Sequence, residues 1–339
     1  KNKLMRGKVT IVIGGQFGSE AKGKVISFLA NEFDFAVRTG SPNAGHTVFK
    51  NGEIYRLQQI PATFVNQKCV LLIGAGALIN PDILRKEVEH TNTKERLFID
   101  PQAGIIEEKH LLQEVELIQK IGSTGKGCGA ALADRIWRKD FKLAKDVLKD
   151  FQIVNVAEKL NQEINDGKNV LVEGTQGFGL SLYHGIYPFV TSRDTNASNF
   201  LAEAGISPLL ATEIILVIRS YPIRVAGNSG PLPNEITWEE LSNRIGKKVE
   251  ETTTVTKKVR RVAEFDIEIV KKAILMNRPT QIAFQFLNYL YPKDEDKNSW
   301  DSLSQEAKTY IENLERDLGV PITLIGTGQS NEAMIDRRK

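Results

Sequence analysis

Cysteine is nearly absent. The 339 residues include two, Cys69 and Cys128, placed far apart in neither a C-x-x-C pair nor a zinc quartet. That excludes a disulfide scaffold or a thiolate metal centre, and the two read as buried apolar fillers in a reducing cytosol. Charge of one sign is scarce as well. Forty-five basic residues nearly balance 42 acidic ones, for a net charge of +3. Nucleic-acid binders carry a much stronger basic bias, so no nucleic-acid partner is expected. A phosphorylated small molecule needs only a local cationic site. No apolar run approaches the roughly 20 residues that span a bilayer. The opening KNKLMRGKVTIVIGG has too short an apolar stretch for a secretory core. No membrane association is expected, and the expected location is the cytoplasm. Repeats and low-complexity linkers are missing too.

What is present fits a globular α/β chain, 41% hydrophobic and 26% charged. Val9–Ile13 (VTIVI) is an uninterrupted β-branched run, as in a strand buried on both faces. It leads through glycines into a helix-like stretch, Lys22–Asn31, the start of a βαβ unit. Similar strands are expected at Val70–Ile73, Asn169–Val172, Ile214–Ile218 and Gln281–Phe286, and helices at Leu112–Lys120 and Val147–Ile164. The expected fold is α/β, with a mainly parallel central sheet and helices on both faces. The polar segments Gly227–Glu235 (GNSGPLPNE) and Glu251–Arg261 (ETTTVTKKVRR) read as mobile loops with a role. No boundary divides the chain into two domains.

The loop after the first strand, Gly14–Lys24, reads GGQFGSEAKGK. Glycines let backbone N–H groups approach an anion, the next helix adds its positive end, and Lys22 and Lys24 add point charges. It is not a Walker A loop, because Val25 follows Lys24 where a hydroxyl is required. Downstream, Arg38–Val48 (RTGSPNAGHTV) sets His46 between Gly45 and Thr47, with Asn43 nearby.

Together these two segments resemble the adenylosuccinate synthetase family, whose signature pairs a GxQWGDEGKGK loop with NNAGHT. The resemblance continues in order along the chain. Ile121–Arg138 (IGSTGKGCGAALADRIWR) is similar to the family's STGRGxGP segment and Glu173–Thr191 (EGTQGFGLSLYHGIYPFVT) to its EGxQG…GTYPxVTSS segment. Thr254–Arg261 falls at its TTGRxRR loop, and Ile325–Ile335 (IGTGQSNEAMI) resembles its C-terminal STGP…MI segment. The length suits the shorter, archaeal-like branch.

The resemblance implies a magnesium-dependent ligase. A nucleoside triphosphate phosphorylates O6 of a 6-oxopurine nucleotide, and the amine of aspartate then displaces that phosphate at C6. By position, the implied catalytic residues are Ser19, Lys22, His46 and Gln176. Ser19, Asn43, Thr124, Gln176 and Thr191 would hold the purine nucleotide, with Arg138 reaching its 5′-phosphate from the other subunit of a homodimer. Gly18, Glu20, Ala21, Lys22, Gly23, Lys24, Gly45, Thr47, Asn288, Gly326 and Gly328 would surround the triphosphate. Thr254, Val255, Thr256, Lys258 and Arg260 would hold aspartate, and Ser19 and Gly45 would face Mg²⁺.

Three departures from the family pattern bear on specificity. Ser19 stands where the family places an aspartate that acts as base for N1 of the purine, and losing such a base costs about 10²–10⁴ in rate. Serine leaves room beside N1 and C2, as the 2-amino group of guanine requires, and it resembles the phage branch of the family that acts on dGMP. Asn288 stands where an aspartate reads the guanine of GTP. Its amide offers one donor and one acceptor, which suits adenine and points to ATP or dATP. Lys258 replaces an arginine near the ribose 2′-hydroxyl, which fits a deoxy substrate. The leading expectation is therefore a ligase joining aspartate to dGMP with ATP or dATP. The alternatives are ordinary adenylosuccinate synthesis from IMP with GTP, and a non-catalytic nucleotide-binding regulator.

Overall fold

The computed structural model describes residues 6–253 and 258–338. Ten strands form one sheet: β1 (Val9–Gly14), β2 (Phe35–Arg38), β3 (Val70–Ile73), β4 (Leu97–Ile99), β5 (Gln152–Ile153), β6 (Val170–Glu173), β7 (Glu213–Arg219), β8 (Gln281–Gln285), β9 (Ile322–Gly326) and β10 (Met334–Asp336). Their spatial order is β10-β9-β8-β7-β1-β6-β2-β3-β4-β5. Every pairing is parallel except β9 with β10.

The β-branched run of β1 is completely buried because both faces of the sheet are covered. Alternation sends Val9, Ile11 and Ile13 into one core, with Leu160 and Ile164 from a covering helix. Val12 enters the other core, with Val25, Ile26 and Leu29 of helix α1 (Lys22–Leu29). Helices thus lie on both faces, as expected. Cys69 and Cys128 are free and buried, and burial pushes their thiols up to about 11 and about 12.

Two helix expectations need correction. Val147–Ile164 is not one helix. A short turn of helix, Ala144–Val147, gives way to β5, and a new helix runs from Val156 to Asn165. Asn155 starts that helix by accepting from the Glu158 N–H at 3.1 Å, so it is a cap and not an interior residue. The Leu112–Lys120 stretch is two helices, Glu108–Gln113 and Val115–Ile121, divided at Glu114. The Glu114 carboxylate accepts from the N–H groups of Gly127, Gly129 and Ala130 at the start of helix Cys128–Trp137.

Two smaller pieces frame the carboxyl ends of the strands. An antiparallel hairpin, His46–Lys50 with Glu53–Leu57, carries His46. A three-stranded antiparallel sheet joins Ile223–Arg224, Arg261–Ala263 and Glu235–Ile236. It anchors the outer ends of both polar loops noted above.

Candidate active site

Open parallel sheets bind ligands beyond the carboxyl ends of their strands. Here β1 ends in the glycine loop, β2 in Arg38, β6 in Glu173 and β7 in Arg219. The last three are apolar strand runs closed by a charged residue.

The loop after β1 is held in an unusual backbone state. Gly18, Ser19 and Ala21 have φ of 84, 59 and 67°, which for the two non-glycines is strain of the kind kept at functional sites. The Glu20 carboxylate fixes this shape from inside: it accepts from the N–H groups of Gln16 at 3.1 Å and Gly18 at 2.9 Å, and from Lys22 Nζ at 2.6 Å. Helix α1 then begins with no capping side chain and no acidic residue in its first turn, leaving its N–H groups for an anion. Gly23 has to be glycine. A Cβ there would come within 2.8 Å of the Thr47 carbonyl and 2.9 Å of the His46 Cβ. That close approach brings the His46 hairpin onto the phosphate loop. Lys22 also donates to the Gln176 carbonyl, and Lys24 donates to the carbonyls of Gly328 at 2.6 Å and Ala333 at 2.8 Å. Burial brings Lys24 down to about 8.

His46 is buried, and its Nδ1 lies 2.6 Å from Glu173 Oε1. The same oxygen accepts from Arg38 Nη1 at 2.9 Å, and Oε2 accepts from the Ala62 N–H at 2.7 Å. The parallel register sets Arg38 and Glu173 side by side. Burial works against the Glu173 charge, but Arg38 and His46 outweigh it and hold the carboxyl below its ordinary range. For His46, burial and then the adjacent Arg38 push the imidazole from 6.5 down to about 4. It is therefore neutral near pH 7. Nδ1–H donates to the carboxylate, and the buried Nε2 has no partner among the described residues.

A cleft of about 910 Å³ opens over these groups. The phosphate loop contributes Gly18, Ser19, Ala21, Lys22, Gly23 and Lys24 to its lining, and the next segment contributes Asn43, Gly45, His46 and Thr47. Thr124, Gln176, Thr191, Lys258, Arg260 and Gly328 line it from other elements. Gln176 Nε2 donates to Thr191 Oγ1 at 2.7 Å, and Asn43 Nδ2 approaches the same oxygen at 3.4 Å. Ser19 Oγ accepts from Arg260.

Four expected residues stand off this lining. The Glu20 side chain is turned into the loop, and Gly326 packs on Gln285. Asn288 is buried, its Nδ2 reaches Glu295 at 3.4 Å, and its Oδ1 has no partner among the described residues. Arg138 is exposed, at the left-handed end of helix Cys128–Trp137. Thr254, Val255 and Thr256 lie outside the described residues.

The sequence reading missed Glu173 and Arg38, the partners of His46, and Arg219, which bonds Glu251 and the Ser19 carbonyl. A signal existed. All three are charged residues closing apolar strand runs, where a merely solvated charge is out of place.

A strained glycine loop, a helix start free of acids and a buried imidazole meet over the carboxyl ends of a parallel sheet, an α/β arrangement able to take an anion. The chain matches the adenylosuccinate synthetase family over residues 11–152 and 140–297. It is 44% identical over 340 residues to the adenylosuccinate synthetase of Methanocaldococcus jannaschii, covering 97% of this chain and 96% of the relative. For the Methanosphaera stadtmanae enzyme the identity is 43% over 339 residues, covering 97% and 98%. Among solved structures, fully ligated adenylosuccinate synthetase from Plasmodium falciparum superposes with a TM-score of 0.88 at 23% identity, over 98% of this chain and 100% of that one. The cyanophage S-2L succinoaminodeoxyadenylate synthetase (PurZ), bound to dGMP and dATP as an energy donor, gives 0.84 at 24%, over 98% and 96%. The chain belongs to the adenylosuccinate synthetase family and is a C–N-forming ligase. Among the described residues, no helix is long and apolar enough to cross a membrane.

Proposed function

We propose that the chain joins L-aspartate to C6 of dGMP, with ATP or dATP as phosphoryl donor, to give 2-amino-2′-deoxyadenylosuccinate, ADP or dADP, and phosphate. The observation that carries this reading is Ser19. It occupies the place of the family's aspartate base, and its Oγ accepts from Arg260. With Arg260 on one lone pair, the hydroxyl keeps its own proton to give. The N1–H of guanine becomes a bare N1 once O6 is phosphorylated, so Ser19 suits the intermediate better than the substrate. The cyanophage protein of the same fold was solved with dGMP and dATP, the pairing proposed here.

The chemistry runs in two displacements. O6 attacks the γ-phosphorus as N1 gives its proton to a phosphate oxygen, the bond to the bridging oxygen breaks, and the nucleoside diphosphate leaves. The aspartate amine then attacks C6, the C6–O6 bond breaks, and phosphate departs carrying the proton that the amine gives up. Lys22, Lys24 and the open start of α1 would hold the phosphates. His46 lines the cleft and starts neutral, with Nε2 buried and without a partner among the described residues. Anionic phosphates favour the imidazolium, Glu173 supports it, and Nε2–H then donates to the leaving oxygen. Asn43, Thr124, Gln176 and Thr191 would position the nucleotide, and Lys258 and Arg260 the aspartate carboxylates.

Magnesium fits as an ion carried on triphosphate oxygens. Gly45 offers a carbonyl and Ser19 a hydroxyl, and no cluster of three His, Cys, Asp or Glu able to hold a metal occurs among the described residues. Mg²⁺ is commonly bound through few protein oxygens, waters and substrate phosphates. When bound, it neutralises charge on the transferring group. Arg138 stands exposed next to Ile136 and Trp137, 65% and 74% exposed, which supports a homodimer in which it serves the neighbour's 5′-phosphate.

A second reading is conventional synthesis from IMP and GTP, favoured by the archaeal relatives at 43–44% identity over nearly the whole chain. Phosphate release with aspartate and Mg²⁺, for each pairing of IMP, GMP or dGMP with ATP or GTP, separates the two. Turnover with dGMP and ATP is expected. Turnover confined to IMP and GTP would establish the second reading, and nucleotide binding without turnover would make the chain a regulator.

A further inference from the structure

The stem of the 251–261 loop is anchored by a side chain that none of the family motifs contains. Thr252 bridges Val259, the Thr253 N–H donates to the Lys258 carbonyl at 2.8 Å, and the Arg260 N–H donates to the Glu251 carbonyl at 2.9 Å. These contacts make a short antiparallel stem that presents Lys258 and Arg260 to the cleft. At its base, the Glu251 carboxylate takes a forked pair from Arg219, Nη1 at 3.1 Å and Nη2 at 2.5 Å. Tyr289 Oη adds a bond at 3.3 Å.

Arg219 is itself built in. It closes β7, is completely buried, and lies over the Phe286 ring at 4.0 Å. Its Nη1 also donates to the Ser19 carbonyl at 2.8 Å. One guanidinium therefore joins the end of a core strand, the backbone of Ser19 and the root of the loop. Glu251 keeps 23% of its side chain open to the cleft. Burial opposes its charge, but Arg219 outweighs that and holds the carboxyl below its ordinary range. The bidentate geometry fixes direction as well as distance, which a lysine would not.

We infer that Arg219 and Glu251 are positioning residues that set the amine-donor stem against Ser19, so that the amine donor and the purine edge are held in one register. This rests on the reading of Lys258 and Arg260 as the aspartate site. Neither Arg219 nor Glu251 is asked to touch the reacting atoms. Their work is to keep Arg260 on Ser19, and an error of about 1 Å in such positioning can cost roughly 100-fold in rate.

The test compares wild type, Glu251→Gln, Arg219→Lys and the milder Tyr289→Phe in steady-state assays with the best nucleotide pair, each variant first checked for a cooperative thermal transition. Glu251→Gln and Arg219→Lys are expected to raise the aspartate KM about tenfold or more. The triphosphate KM should stay within about twofold, and Glu251→Asp should recover part of the loss. Tyr289→Phe should shift the same parameter in the same direction, by less, and carries the test if the charged variants do not fold. An unchanged aspartate KM in folded variants, or an equal rise in every KM, would overturn the inference. Failure of the wild type to consume aspartate would instead overturn the reading on which it rests.

Discussion

The two sides of the cleft are built from different materials. On one side, His46 is held by Glu173 and Arg38, completely buried groups on the ends of neighbouring parallel strands. On the other, Ser19 sits on a strained loop and is met by Arg219 from below and Arg260 from a loop stem. The first side matches the family pattern at His46, and the second is where the sequence departs from it. The difference teaches how one scaffold divides its labour. Sheet register fixes the Arg38–Glu173 contact and makes that side hard to vary. Loop contacts on the other side can change substrate without disturbing the core.

The largest expected effect comes from breaking the rigid side. Glu173→Gln leaves Arg38 buried without its counter-ion, and losing one partner of a buried pair costs about 3–5 kcal/mol. A drop of that order in urea-derived stability is expected, together with loss of most of kcat. His46→Ala should separate the two consequences. It should lose about 10²–10⁴ in kcat while leaving the Arg38–Glu173 pair, and with it folding, largely intact. A His46→Ala variant of near-native rate would end the role given to the imidazole.

Burial of neutral His46 also gives the rigid side a pH signature. The unfolded chain takes up a proton near 6.5, and the folded chain does so only near 4. Between those values the unfolded state binds more protons, so stability should fall as pH is lowered from about 6.5 to 4. Glu173, held below its ordinary 4.5, adds a loss in the same direction at the acid end. Unfolding midpoints measured across this window should slope downward towards acid, and the slope should flatten in His46→Gln. Equal slopes in the two proteins would place the titration elsewhere.

How much of this the sequence revealed follows the same division. The β1–loop–α1 unit was legible because a buried β-branched run, glycines and lysines each point to one local structure. His46 was legible only as a member of a motif. Its partner Glu173 lies 127 residues away, and their contact depends on the β2–β6 register and the packing of the hairpin against Gly23. The helix expected across Val147–Ile164 failed at Asn155, where a capping side chain outcompetes helical continuity. Arg219 carried the signal of a charge closing an apolar strand run, but its anchoring role was not legible because its partners Ser19 and Glu251 lie 200 and 32 residues away and meet it only in the fold.

Asn288 offers the finest comparison, since it concerns one buried atom set back from the cleft lining. Its buried Oδ1 has no partner among the described residues, and its Nδ2 faces Glu295, which is bonded to Lys247. An adenine would satisfy the lone Oδ1 through its 6-amino group, whereas guanine presents an oxygen there, a mismatch costing about 1–3 kcal/mol. Asn288→Asp should move donor preference from ATP towards GTP by about tenfold, in keeping with that range. The single variant carries a confounding effect, because a new carboxylate beside Glu295 is repelled and tends to hold a proton. Asn288→Asp combined with Glu295→Gln removes that repulsion, and Lys247 is exposed enough to be solvated without its partner. The double variant should therefore show the larger shift in the ratio of kcat/KM for GTP and ATP. If neither variant moves that ratio, Asn288 does not read the donor base, and its oxygen belongs to local packing.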